Sequence, residues 1–228
     1  MNESNERRHA PSVFDADPVL GLSGGPGGGR GSQERAAEPV AEQAGFVRPA
    51  RESDLPLIGR VHAATMLASM EAGHASAHSG AGLPDGVRAM IAAPVVAAGW
   101  EEPVTAPPSP RHHVLVATRG PLVVGLVGLA PTQGLDDSGR PVPGSGAVEV
   151  TAIGVAPEHQ RQGHGSRLLA AAVDLAREDG ARALLVWALR GDESMSRLFT
   201  AVGMAPTGMR RELPIGDGVV EDCWAATI

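Results

Sequence analysis

Residues 148–169 constrain this chain more than any other stretch. The run Val148-Glu149-Val150-Thr151-Ala152-Ile153-Gly154-Val155 is rich in β-branched residues and reads as a strand. Pro157 has no N–H to give a ladder, so the strand ends before it. A polar loop with Gly163 and Gly165 follows. Leu168, Leu169, Ala172, Val173 and Ala176 then share one face at helical spacing, and Gly180 is placed to stop that helix. Such a turn leaves first-turn amides without intrahelical partners and adds the positive end of the helix dipole. With no Cβ at Gly163 and Gly165, a diphosphate can approach the backbone closely. Arg161 and Arg167 flank the turn, where they would screen phosphate charge.

Three phosphate-binding patterns compete for this loop. The Walker pattern fails, because there is no G-x-x-x-x-G-K-[ST] and all 19 basic residues are arginine. The dinucleotide fingerprint is incomplete, because Leu168 stands where a third small residue belongs. The third fits: Gln160-Arg161-Gln162-Gly163-His164-Gly165 resembles the Gln/Arg-x-x-Gly-x-Gly/Ala motif of the GNAT acyltransferase superfamily at every fixed position. The bland alternative is an ordinary strand–turn–helix with a Gly-rich bend.

The rest of the chain divides simply. Residues 1–44, with the run Gly24-Gly25-Pro26-Gly27-Gly28-Gly29, carry too little apolar surface to offset ordering entropy and read as a tail. Val13-Phe14 and Val19–Leu22 are its only apolar patches. Phe46–Ala50 reads as an edge strand, and Ser53-Asp54 as the cap of a helix carrying Leu55, Ile58, Val61, His62, Thr65 and Met66. Residues 70–84 read as a loop in which His74 and His78 lack a third metal ligand. A second helix starts near Asp85 and is ended or kinked by Pro94, and 101–110 is a loop. Val114–Ala117 and Leu122–Leu129 are strands around an Arg119-Gly120 turn, with a bulge marked by Gly125 or Gly128. His112 and His113 read as surface residues. Residues 131–146 read as a long hairpin loop. A buried strand over Ala181–Leu189, a helix over Asp192–Val202 and short strands near 210–214 and 219–226 complete the domain.

Composition excludes several classes. A net charge of −7, with no basic cluster interleaved with aromatics, argues against nucleic acid. No run of about 18 apolar residues exists, and the first residues lack a basic-then-apolar leader, so no membrane partner is expected. Cys223 has no second cysteine to pair with, which favours a cytoplasmic compartment; between acidic neighbours it reads as a small core residue.

The order β-α-α-β-β-β-α-β-α-β-β resembles that of the GNAT superfamily over residues 45–228. The resemblance implies an α/β (α+β) fold with a mixed, mostly antiparallel sheet, helices on its faces and a splayed pair of central strands. It also implies acetyl-CoA as co-substrate, no metal, and a primary amine of a small molecule or protein as acceptor. Homodimers through the C-terminal strands are common in the family. The pantetheine arm would pair with Ile153, Gly154 and Val155, and the diphosphate would sit on amides of Gln160, Arg161, Gln162, Gly163, His164, Gly165 and Ser166. Asp192, Ser194 and Phe199 would approach CoA from the last helix. Glu149, fourteen residues before Gly163, falls where many members place a general base. An apolar wall of Val148, Val150 and Ala152 would raise its pKa by desolvation. The alternative for Glu149 is a solvent-facing strand residue. The family's usual tyrosine falls at Phe199, and this chain has no tyrosine, so the thiolate proton would come from water, Ser194 or Ser196. That departure leaves a non-catalytic acyl-CoA-binding regulatory module as the second reading.

Overall fold

The computed structural model describes residues 45–136, 140–214 and 218–228. The expected tail and its two apolar patches lie outside them. Thirteen elements follow in order: β1 (Phe46–Pro49), α1 (Leu55–Ala77), α2 (Asp85–Met90), α3 (Ala93–Gly99), α4 (Glu101–Thr105), β2 (His113–Arg119), β3 (Leu122–Leu135), β4 (Pro141–Val155), α5 (His164–Glu178), β5 (Ala183–Leu189), α6 (Glu193–Ala201), β6 (Ala205–Glu212) and β7 (Val220–Thr227). One sheet runs β1-β2-β3-β4-β5-β7-β6. Every neighbouring pair is antiparallel except β4–β5.

Helices cover both faces. The apolar stripe of α5 (Leu168, Leu169, Ala172, Val173, Ala176) is fully buried against Val127, Val148, Val150, Val186 and Phe199. On the opposite face Ile58 and Val61 of α1 meet Val116, Val123, Leu126 and Trp100. Gly180 ends α5 at φ +80°, where a residue without Cβ is needed, and its N–H bonds Arg177 O.

Several boundaries differ from those the residue types imply. Helix α1 runs through 70–77, which its Gly, Ala and Ser content had marked as loop. The alanines are strong helix formers, and Gly73 is small because Leu189 of β5 lies against it. Residues 85–99 form two helices, with Pro94 in the first turn of α3, where a missing N–H costs nothing. Residues 101–105 form α4 rather than loop. Most of 131–146 is strand: β3 and β4 stay paired out to Leu135 and Pro141, and the turn-forming residues are absorbed by a register shift at Gln133/Gly134. Residues 137–139 lie outside the description. Asp54 does not cap α1 with its side chain. Its carboxylate takes two hydrogen bonds from Arg48 (2.7 and 2.9 Å) and one from Arg51 N–H (2.8 Å), tying β1 to the start of α1. The expected β2–β3 bulge is real: the register shifts beside Gly125, and β3–β4 shifts beside Gly128.

Candidate active site

The site starts from a break in strand pairing. Strands β4 and β5 pair only from Ala147↔Ala183 to Val150↔Val186, yet they continue to Val155 and Leu189. From Thr151 onward the β5-facing edge of β4 has no strand partner among the described residues. On its other side the same segment stays bonded to β3, with Ala152 opposite Gly128 and Val155 opposite Gly125. The register shift leaves Thr151 without an opposite residue on β3. Such a bulge reverses the alternation of side chains. Val148 and Val150 therefore face α5, while Ala152 packs with the α1-face cluster and Gly154 abuts Thr65.

The open edge leads into the glycine loop. A cleft of ≈ 320 Å³ is lined by Ile153, Gly154 and Val155 of β4, by Gln160, Arg161, Gly163, His164, Gly165 and Ser166 of the loop and helix start, and by Ser194 of α6. No side chain caps α5, whose N-cap is Gly163. The two glycines differ in purpose. Gly163 adopts φ +79° with nothing within 4 Å of its missing Cβ, so it is there for conformation. A Cβ on Gly165 would lie 3.1 Å from Leu198, so it lets α6 approach α5. Arg161 reaches φ +60° without being glycine. Arg167 folds back, donating to Gln162 O and to His164 Nδ1, and Gln160 Nε2 donates to Val155 O at 3.1 Å. His164 is buried, and burial first, then the Arg167 charge, lowers its pKa.

Three residues expected at this cleft stand outside its lining. Gln162 is exposed in the loop, its side chain donating to Glu158 O. Asp192 is buried and engaged: it caps α6 through Met195 N–H and accepts from Ser69 of α1. Phe199 is fully buried, tilted against Trp224 with ring centroids 5.8 Å apart. Conversely His159, Met195, Arg197, Leu198 and Ala201 line the cleft without having been singled out. Helical spacing of α6 from Ser194 places Arg197, Leu198 and Ala201 on one side, a signal the sequence did carry.

Glu149 sits half-buried on β4, opposite Ala130 of β3 and Leu185 of β5. Desolvation raises its pKa; the Arg211 charge pulls the other way and Glu221 pushes further up. Val148 and Val150, expected to wall it, face away. The neighbours of its own face are Ala147, Leu185 and Cys223, packed as one cluster. Arg211 stacks over Trp187 at 4.5 Å and bonds Glu221. Burial pushes the Cys223 thiol up, as a core residue requires. Among the described residues no three His, Cys, Asp or Glu are placed to hold a metal; His74 and His78 stack at 4.2 Å. No described helix is long and apolar enough to cross a membrane.

A second cavity, ≈ 470 Å³, opens on the α1 face between α1, α3 and strands β2–β4. His112 and His113, read as surface residues, line it together with His62 and Trp100.

The sheet order and the open β4–β5 pair define the fold of the GNAT acyltransferases. Solved structures agree. A GNAT-family protein of Desulfovibrio desulfuricans superposes with TM-score 0.55 at 19% identity, covering 81% of this chain and 99% of that one. A GCN5-related N-acetyltransferase from Kribbella flavida gives 0.54 at 18%, covering 81% and 98%. The ribosomal-protein-S18-alanine N-acetyltransferase from Escherichia coli gives 0.52 at 15%, covering 81% and 94%. The family model described as the acetyltransferase (GNAT) family matches residues 92–204, and the chain belongs to that family. No curated protein matches the sequence.

Proposed function

We propose that the protein is an N-acetyltransferase that moves an acetyl group from acetyl-CoA to a primary amine by direct attack. The observation that carries this reading is the single cleft joining the unpaired edge of β4 to the uncapped start of α5. A pantetheine arm is a chain of amides and fits an unpaired strand edge over Ile153–Val155. A diphosphate fits the amides from Gln160 to Ser166, with Arg161 and Arg197 at the same cleft. The donor supplies an activated acyl group as a thioester.

The chain's own residues manage the protons. An amine is protonated near neutral pH and must lose a proton before its nitrogen forms a bond to the acyl carbon. Glu149, with its raised pKa, is suited to take that proton directly or through one water. The C–S bond then breaks and the thiolate leaves, while the nitrogen gives up its second proton to water to become the neutral amide. Phe199 has no proton to give, and Ser196 Oγ donates to Asp192 O. Ser194, which lines the cleft, or water is left to protonate the thiolate. With a free-thiol pKa of roughly 8.5, the group leaves tolerably without an acid.

The buried Phe199 also supports the second reading, a regulator that binds acyl-CoA without turnover. One experiment separates them. Thermal stabilisation by CoA is measured first, and CoA release from acetyl-CoA with an amine panel second. Stabilisation with release supports the transferase; stabilisation with no release from any amine selects the regulator. Absence of stabilisation at millimolar CoA removes both.

A further inference from the structure

The cavity on the α1 face lies next along β4 to the proposed cofactor cleft. Its β4 lining is Thr151 and Ala152, immediately before the edge assigned to pantetheine, and Ala130, the residue opposite Glu149, also lines it. Its volume, ≈ 470 Å³, is that of a small-molecule pocket. Its wall is shaped by the bulge. Gly128 has no Cβ, and one placed there would lie 2.7 Å from both Thr151 Oγ1 and the Trp100 ring.

The lining is mostly apolar, with Met66, Val96 and Trp100 among its side chains and no Asp, Glu or Arg among its described residues. Its three histidines each have one ring nitrogen already engaged. Trp100 Nε1–H donates to His62 Nδ1 at 2.8 Å, His112 Nδ1 meets Ser109 Oγ, and His113 Nε2 meets Asp179. With Nδ1 of His62 accepting, its neutral ring carries the proton on Nε2. Burial holds its pKa at about 4, so the ring stays uncharged at neutral pH.

We infer that this cavity is the acceptor pocket, and that it takes a monoamine carried on an apolar, ring-sized body rather than a polyamine or a lysine-bearing peptide. The inference rests on the transferase reading above. A second ammonium entering this pocket would be desolvated with no carboxylate to pair with, a heavy penalty. An aryl or alkyl body instead replaces water against Met66, Val96 and Trp100. Only the reacting nitrogen needs a carboxylate, and Glu149, outside the lining itself, is two residues before Thr151 on β4 and opposite Ala130, both of which line the pocket.

The test compares 2-phenylethylamine and tryptamine with spermidine and a lysine-bearing peptide in the CoA-release assay. Thermal stabilisation by CoA is measured alongside. The arylalkylamines are expected to exceed the other two by at least tenfold in kcat/KM. Equal or better turnover of spermidine or peptide overturns the inference, as does CoA binding with idle arylalkylamines, which leaves the cofactor reading standing. Loss of CoA binding itself overturns both. Val96→Phe and Val96→Trp fill the cavity by increasing volumes. They are expected to raise KM for 2-phenylethylamine in that order, to tenfold or more for Trp, with the CoA-induced thermal shift unchanged. If neither variant raises KM while that shift persists, the amine binds elsewhere. Should Val96→Trp fail to fold, Val96→Phe carries the same test.

Discussion

At the scale of single residues, the proposed mechanism makes Glu149 the group whose protonation decides the rate. Its carboxyl is held above the ordinary carboxylate range chiefly by desolvation. Activity is therefore expected to fall on the acid side as pH drops through that raised pKa, above the usual value of about 4.3. Glu149→Gln is expected to lower kcat by about 10²–10⁴-fold, to abolish that acid limb, and to leave CoA affinity unchanged in calorimetry. A raised pKa also means that the fold prefers the neutral form. The stability this preference contributes is full below the unfolded pKa and is lost as pH rises through the folded one. The Gln variant, neutral throughout, is thus expected to melt no lower than the natural protein at pH 7–8. The sequence offered Glu149 only by its offset from the glycine loop. The groups that set its environment, Leu185, Cys223, Arg211 and Glu221, come from β5, β6 and β7, and strand pairing alone brings them together.

At the scale of elements, the loop–helix start was legible because local chemistry fixes it: a strand end at a proline, glycines at set positions and an amphipathic stripe. Legibility failed where packing overrode residue type, as in α1 beyond Met70 and in the β3–β4 arm. The two glycines show the division well. Gly163→Ala forces an L-residue to φ +79° and is expected to cost about 1–2 kcal/mol and to weaken CoA binding. Gly165→Ala meets only the flexible end of Leu198 and is expected to cost less in melting temperature. An equal loss for both would show that the loop conformation does not depend on Gly163. The joint between β1 and α1 makes a separate prediction. The hydrogen bonds from Arg48, first among the causes, hold the Asp54 pKa down. That stability is present above the unfolded pKa of about 3.9 and is lost as pH falls through the lower folded value. Asp54→Asn is expected to cost about 2 kcal/mol at pH 7, read as a lower urea midpoint at unchanged slope. The gap between variant and natural protein should close in acid.

At the scale of the whole molecule, the opening between β4 and β5 is a property of the assembled sheet. No residue in either strand announces it, since Thr151–Val155 and Trp187–Leu189 read as ordinary strand. Part of what shapes it lies on the far face. Helix α1 crosses β4 so closely that a Cβ on Gly154 would fall 2.4 Å from Thr65 Oγ1 and 3.0 Å from its Cβ and Cγ2. The same helix reaches β5 at Gly73 against Leu189, so it spans the gap. Gly154→Ala must therefore push α1 and β4 apart, and the displaced backbone is the edge assigned to pantetheine. Overpacking of this kind costs about 1–3 kcal/mol. The variant is expected to melt lower and to lose CoA affinity together. Thr65→Ala removes Oγ1 and Cγ2 and so should restore part of both losses in the double variant, a favourable coupling between residues in contact. Thr65→Ala alone should leave CoA affinity nearly unchanged, because Thr65 Oγ1 otherwise donates only to Val61 O and His62 O of its own helix. If the double variant shows no recovery in either readout, the contact between α1 and β4 does not hold the cleft open.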